Sequence, residues 1–166
     1  MGIWVRVWIG SWICAWSVFA CAWPGVVTHV SDGDTLWVQP LHPLQGREAQ
    51  KVRLLGIDAP EICQAWGPQS RDALHAVLHA QVVDVQARYH DSYGRLLARL
   101  SHQGHDVGAW MVAHGHAWSY SYRGRPGAYE AQQATAQAQH LGLFADAHAL
   151  QPRAFRKQFG SCYPPS

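Results

Sequence analysis

Arg53-Leu54-Leu55-Gly56-Ile57-Asp58-Ala59-Pro60-Glu61 reads as a short apolar strand with a charge inside it and two carboxylates at its exit. An arginine within an apolar run needs a carboxylate partner or a phosphate ligand, because an unpaired charge is too costly to bury. Asp58 and Glu61 flank Ala59-Pro60, so the chain turns there and both carboxylates stay local.

Working outward, residues 52–57 form the third of five expected strands. Upstream, 26–30 alternates apolar and polar positions as a half-buried strand does, Asp32-Gly33 is a tight-turn dipeptide, and 35–38 is the return strand. Residues 39–49, with two prolines and Gly46, make a long hairpin loop. Downstream, 68–81 changes to helical spacing, with Ala73, Leu74, Val77 and Leu78 on one face. Strands follow at 82–87 and 96–100, joined by the turn Asp91-Ser92-Tyr93-Gly94. A short helix at 107–113 has Asp106 near its start and Gly115 beyond its end. A third helix, 128–141, stops at Gly142, and the chain from 147 reads as an irregular tail. The order is α+β. A five-stranded OB-type β-barrel with three packed helices buries the opening meander without free edges.

The 166 residues suffice for one domain with one core, and a composition 48% hydrophobic and 14% charged excludes long disorder. Residues 1–22 carry Arg6 as their only charge and end in Ala20-Cys21-Ala22, a small-x-small cleavage pattern. They are expected to be a signal peptide, leaving one folded domain at 23–146 and a tail at 147–166. The protein is then exported, secreted or periplasmic. The other readings are an uncleaved membrane anchor, a buried amino-terminal helix, or lipidation at Cys21, since 18–21 loosely resembles a lipobox. The apolar stretch is short against the roughly 20 residues that span a bilayer. Removing 1–22 takes away Arg6 alone and leaves twelve basic against eleven acidic residues, a net charge of +1. That excludes a polycation holding nucleic acid by bulk charge, so any grip on phosphate must come from placed arginines.

Cys14 lies in the apolar segment, while Cys63 and Cys162 stay with the domain. They form either a disulfide, which an oxidising compartment favours and which ties the tail to the loop after Glu61, or two independent thiols. Of the eleven histidines, His75 and His79 are spaced to share a metal, but no third ligand lies near them in sequence. Arg123-Gly124-Arg125 reads equally as a nucleic-acid contact or a solvated loop. Arg153, Arg156 and Lys157 read as a solvated basic surface.

Three clusters sit at the ends of β-runs: Asp32-Gly33-Asp34-Thr35, the 53–61 stretch, and Asp91-Ser92-Tyr93-Gly94-Arg95. Each alone has a plain structural explanation as a turn, a cap or an ion pair. Together they place carboxylates at loop ends, which suit a hard cation such as Ca²⁺, beside arginines, which suit phosphoryl chemistry.

In that order the three motifs resemble the thermonuclease (staphylococcal nuclease-like) family, over roughly 25–144. The resemblance implies a calcium-dependent endonuclease that cleaves the 5′-oxygen–phosphorus bond of DNA and RNA, leaves 3′-phosphate ends and has little sequence preference. It implies Asp34 and Asp58 as side-chain Ca²⁺ ligands, a backbone carbonyl ligand from Ala59, and Thr35 beside the metal through water. Arg53 and Arg95 would clamp the scissile phosphate, and Glu61 would position or deprotonate the attacking water. Tyr93, Tyr120 and Tyr122 resemble nucleotide-contacting tyrosines. No stable protein partner is implied, and the expected state is a monomer. The competing classes are a non-catalytic binding module on the same barrel and a cell-envelope structural domain stapled by Cys63 and Cys162.

Overall fold

A computed structural model describes residues 22–42 and 48–162. The expected signal segment with Cys21, up to residue 21, and the middle of the 39–49 loop lie outside the described residues. The chain opens as an antiparallel meander of β1 (Ala22–Val30), β2 (Thr35–Pro40) and β3 (Gln50–Leu54). The two-residue β4 (Ile57–Asp58) and helix α1 (Gly67–Leu78) come next, followed by β5 (Val82–His90) and β6 (Leu96–His102). β5 returns alongside β1, β6 pairs with β5, and β6 then runs parallel to β3 in the register Val52↔Leu96, Arg53↔Leu97, Leu54↔Ala98. That parallel ladder closes the five long strands into a barrel.

Closure needs strands that bend, and two irregularities supply it. On β1 the inward positions Trp23, Gly25 and Val27 are followed, one residue late, by Val30, and the pairing register shifts between Val27 and His29. A second shift falls between Ala87 and Tyr89 on β5. Such bulges increase local twist and turn a strand around a barrel corner. Inside, Val27, Leu36, Val38, Val52, Val85 and Ala98 are fully buried.

α1 plugs one side of the barrel with Leu74 and Leu78. The short β7 (His105–Asp106) leads into α2 (Val107–Ala113), capped by Asp106, whose carboxylate accepts from the Ala109 N–H at 2.9 Å. After β8 (Trp118–Ser119), α3 (Glu130–Ala138) is anchored by Tyr129, which donates its hydroxyl to Asp106 at 3.0 Å. Burial and the Asp106 charge push the Tyr129 hydroxyl up to about 12.

A 3-10 turn (Gly142–Ala145) and a fourth helix, α4 (Pro152–Phe159), complete the chain. The α+β barrel therefore stands, but with four helices among the described residues, and the stretch from 147 is not irregular throughout, since it holds α4. Strands and helices also differ at their ends: β1 starts at Ala22 and β5 runs to His90, whereas α1 stops at Leu78 and α3 at Ala138. A second small core of Ala136, Leu143 and Phe144, packed with Trp66, Trp118 and Ala149, lies outside the barrel. Between it and α4 is a cavity of about 300 Å³ lined by Trp66, Trp118, Leu150, Phe155 and Phe159, among others.

Candidate active site

The site forms at one rim of the barrel, where the three sequence clusters meet. In the β1–β2 turn the Asp34 N–H donates to Asp32 Oδ1 at 3.0 Å, a local Asx turn. The Thr35 hydroxyl donates to Asp34 Oδ1 at 3.0 Å and the Ala59 N–H to Asp34 Oδ2 at 2.8 Å, so both oxygens of the buried Asp34 are oriented. Gly33 is required by space: a Cβ there would collide with Ser70 of α1 and come within 2.8 Å of the Ala59 Cβ.

Arg53 lies on β3 opposite Thr35 of β2. Its guanidinium is ion-paired with Asp34, and its Nη2 donates to Asp58 Oδ1 at 2.9 Å and to the Ile57 carbonyl at 3.4 Å. Asp58 reaches this position because Gly56 takes a φ of +83°, open to glycine, and reverses the chain between β3 and β4 against the Tyr129 ring. Asp34 and Asp58 are each 5% exposed. Burial lowers the pKa of Arg53, while Asp58 and Asp32 oppose that. Burial raises the Asp32 carboxyl, with Arg53 pulling it back. Asp32, which the sequence presents only as a turn residue, is therefore electrostatically part of the cluster.

Arg95 arrives on the β5–β6 turn, one residue before the Leu96 that pairs with Val52. Asp91 shapes that turn, accepting the N–H of Tyr93 and of Arg95 at 2.9 Å each and the Arg95 Nε at 2.8 Å. Desolvation acts upward on the Asp91 carboxyl, but these donors and the Arg95 charge outweigh it and hold the group below the usual carboxylate range. Arg95 is close enough for its charge to act on Arg53 and Asp32.

Glu61 follows Pro60 and is fixed by a reciprocal pair with Gln64, Glu61 N–H to Gln64 Oε1 at 3.2 Å and Gln64 N–H to the Glu61 carbonyl at 2.8 Å. Its carboxylate accepts from Arg156 Nη1 at 2.8 Å. Arg156 also donates Nη1 and Nη2 to Asp58 Oδ1 and Oδ2, at 3.3 and 3.1 Å. Sequence reasoning missed this residue and read it as solvated. The available signals were Pro152 at a helix start, Phe155 and Phe159 four apart, and Gly160 just past the end. Cys63 and Cys162 are disulfide-bonded, with Cα atoms 5.7 Å apart, so the bridge is the reading that holds.

The tyrosines divide. Tyr93 is exposed, with the Arg95 guanidinium over its ring at 5.4 Å. Tyr120 donates its N–H to the Gly56 carbonyl at 2.9 Å and shares a small cavity with Asp58. Tyr122 is exposed, bridged to Arg125, with the Arg123 guanidinium over its ring at 5.2 Å. His75 and His79 stack on each other at 4.3 Å and gather no further ligand among the described residues.

For a metal, no three His, Cys, Asp or Glu side chains converge as a ready cluster among the described residues. Asp34 and Asp58 do converge, both gripped by one guanidinium. Two buried carboxylates form an oxygen-only donor set. It fits a hard cation that completes its shell with carbonyl oxygens and water.

A rim that gathers Arg53, Arg95 and Arg156 around Asp32, Asp34, Asp58 and Glu61 defines a class of site built for phosphate chemistry. The model of staphylococcal nuclease homologues matches residues 51–146. An uncharacterized endonuclease of Haemophilus influenzae is 36% identical over 132 residues, 80% of this chain and 72% of its own. A micrococcal nuclease of Shigella flexneri is 37% identical over 155 residues, 86% of this chain and 83% of its own. The ParB protein of Escherichia coli is 35% identical over 146 residues, 81% and 79% of the two chains. This chain belongs to the staphylococcal nuclease family.

Proposed function

We propose that this chain is a calcium-dependent endonuclease that hydrolyses DNA and RNA at the 5′-oxygen–phosphorus bond, leaving 3′-phosphate ends, with little sequence preference. Membership of the family makes it a nuclease hydrolase. The observation that carries the finer reading is the double grip of Arg53 on Asp34 and Asp58 beside Arg95 and Glu61.

Asp34 and Asp58, with the Ala59 carbonyl and Thr35 nearby, are the residues that would hold Ca²⁺. Bound calcium would supply charge stabilisation at a phosphate oxygen. Arg53 and Arg95 donate to the other phosphate oxygens as negative charge builds on them. A guanidinium has five N–H donors, so Arg53 can keep its carboxylates and still reach phosphate. Glu61 orients a water molecule and takes its proton. The water oxygen attacks phosphorus and the 5′-oxygen leaves, taking a proton from solvent. Tyr93 and Tyr120 offer stacking faces, and recognition through backbone and stacking explains weak sequence preference. The protein acts as an exported monomer without a stable partner, its signal at 1–22 removed. The Cys63–Cys162 bridge suits an oxidising compartment.

The test is digestion of single-stranded DNA and of RNA by the purified protein, with calcium and with a calcium chelator. Product ends are read by phosphatase sensitivity at the 3′ terminus. Activity that persists in chelator, or 5′-phosphate ends, would overturn the finer reading. Binding without cleavage would leave the binding module.

A further inference from the structure

Among the described residues α4 buries only Pro152, so apolar packing alone does little to hold this helix at the barrel rim. Two other links hold it there. One is the covalent bridge from Cys162 to Cys63, two residues beyond Glu61. The other is Arg156, whose single planar head spans Glu61 and both oxygens of Asp58. Arg53 grips the same Asp58 at 2.9 Å, through the Oδ1 that Arg156 Nη1 also reaches. An isolated surface ion pair contributes little. This is instead a network in which two arginines share a carboxylate that is 5% exposed.

We propose that Arg156 is a positioning residue of the nuclease site, fixing the Glu61 carboxylate relative to Asp58, and that the Cys63–Cys162 bridge keeps it there. The inference rests on the nuclease reading above. Glu61 sets where the attacking water sits and Asp58 is one of the two carboxylates that would hold the cation, so the distance between them controls attack geometry. A displacement of about 1 Å at such a point costs on the order of 10²-fold in rate. The fork of arginine is needed, since lysine is a point charge and reaches one carboxylate at a time. The disulfide joins the loop of Glu61 to the helix of Arg156, which turns their ion pair into a ring-closing contact of high effective concentration.

The experiment is steady-state cleavage of a single-stranded DNA oligonucleotide at saturating calcium, for wild type, Arg156→Ala, Arg156→Lys, and Cys63→Ser with Cys162→Ser. Thermal unfolding and a calorimetric calcium titration of the free proteins accompany it. Arg156→Ala is expected to lower kcat about 10- to 100-fold with KM nearly unchanged. It should add little in a Glu61→Gln background and bind calcium at least as tightly, because a cation beside Asp58 has gone. Arg156→Lys should recover only a small part. The serine pair should lose activity in the same direction, and adding Arg156→Ala to it should cost less than in wild type. Wild-type or higher activity in Arg156→Ala overturns the proposal, as do a loss confined to KM, a loss of calcium binding, or losses from Arg156 and the disulfide that multiply fully. If Arg156→Ala fails to fold, Arg156→Lys and the serine pair carry the same comparison. A wild-type protein without nuclease activity would sink the nuclease reading instead.

Discussion

The barrel interior buries Val27, Leu36, Val38, Val52 and Val85 completely, whereas the annex of α3, the 3-10 turn and α4 has a core of only Ala136, Leu143 and Phe144. The barrel closes through its own ladders, including the parallel β3–β6 pair. In the annex, α3 and the 3-10 turn are tied down by Tyr129 to Asp106, by the Ser119 N–H to Gln133 and by the Leu143 N–H to the Gly115 carbonyl, while the α4 end is fastened by a disulfide, by Arg156, and by Gln64 Nε2 donating to the Leu150 carbonyl at 2.7 Å. Both regions nevertheless reach the same carboxylate, Asp58, Arg53 from the barrel and Arg156 from the annex. Burial organises the first approach and tethering the second. The two halves of the site should therefore respond to different perturbations.

The sharpest way to break that contrast is to remove the barrel arginine. Arg53→Gln takes a charge from between Asp34 and Asp58, and kcat for single-stranded DNA should fall about 10²- to 10³-fold or more. A loss smaller than that of Arg156→Ala would reverse the ranking of the two regions. Next in size is core truncation. Leu36→Ala should cost about 2–5 kcal/mol in urea unfolding followed by tryptophan fluorescence. Leu143→Ala should fall at or below the lower end of that range and accelerate amide exchange in the annex before the barrel. Equal global losses would mean that the annex is part of one cooperative core. Reducing the disulfide should lower the unfolding free energy by about 2–4 kcal/mol while the barrel stays folded. Circular dichroism and exchange on reduced protein would show which region loosens.

The smallest effect sits at the seam. His116 accepts a hydrogen bond at Nδ1 from Trp66 Nε1 at 3.4 Å, and its carbonyl accepts from Ser70 Oγ at 2.7 Å. Burial, helped by His114, lowers its pKa from the ordinary 6.5. The unfolded chain then takes up the proton first as pH falls. This contribution is therefore present above pH 6.5 and lost as pH drops through the folded value. His116→Gln should flatten that part of the stability–pH curve, and an unchanged slope would exclude His116 as its source.

The barrel half was the legible half. β-runs with alternating burial, the tight turn at Asp32-Gly33 and the strand interrupted by Arg53 announce themselves locally, and α2 falls on 107–113 as read. The catalytic candidates from these runs sit at strand ends, so the periodicity that fixes the strands also fixes the site. The annex was less legible because α4 has two phenylalanines among charged residues and no apolar stripe long enough to count as core-facing. Arg156 has a role only through contacts nearly a hundred residues back in sequence, at Asp58 and Glu61. Local pattern carries no trace of such a contact. The disulfide had been one of two open readings for the same reason.

The parallel ladder between β3 and β6 has a consequence for the timing of activity. Arg53 and Arg95 belong to segments separated by a helix and a whole strand, and only this ladder sets them side by side. With the β1–β5 pairing it is one of the two long-range pairings in the barrel, the kind whose loop-closure entropy must be met before any contact rewards it. A chain stalled before this ladder forms holds Arg53 and Arg95 at opposite edges of an open β3-β2-β1-β5-β6 sheet, and the proposed phosphate clamp is not assembled. Catalytic competence thus switches on with barrel closure rather than growing in step with the amount of folded chain.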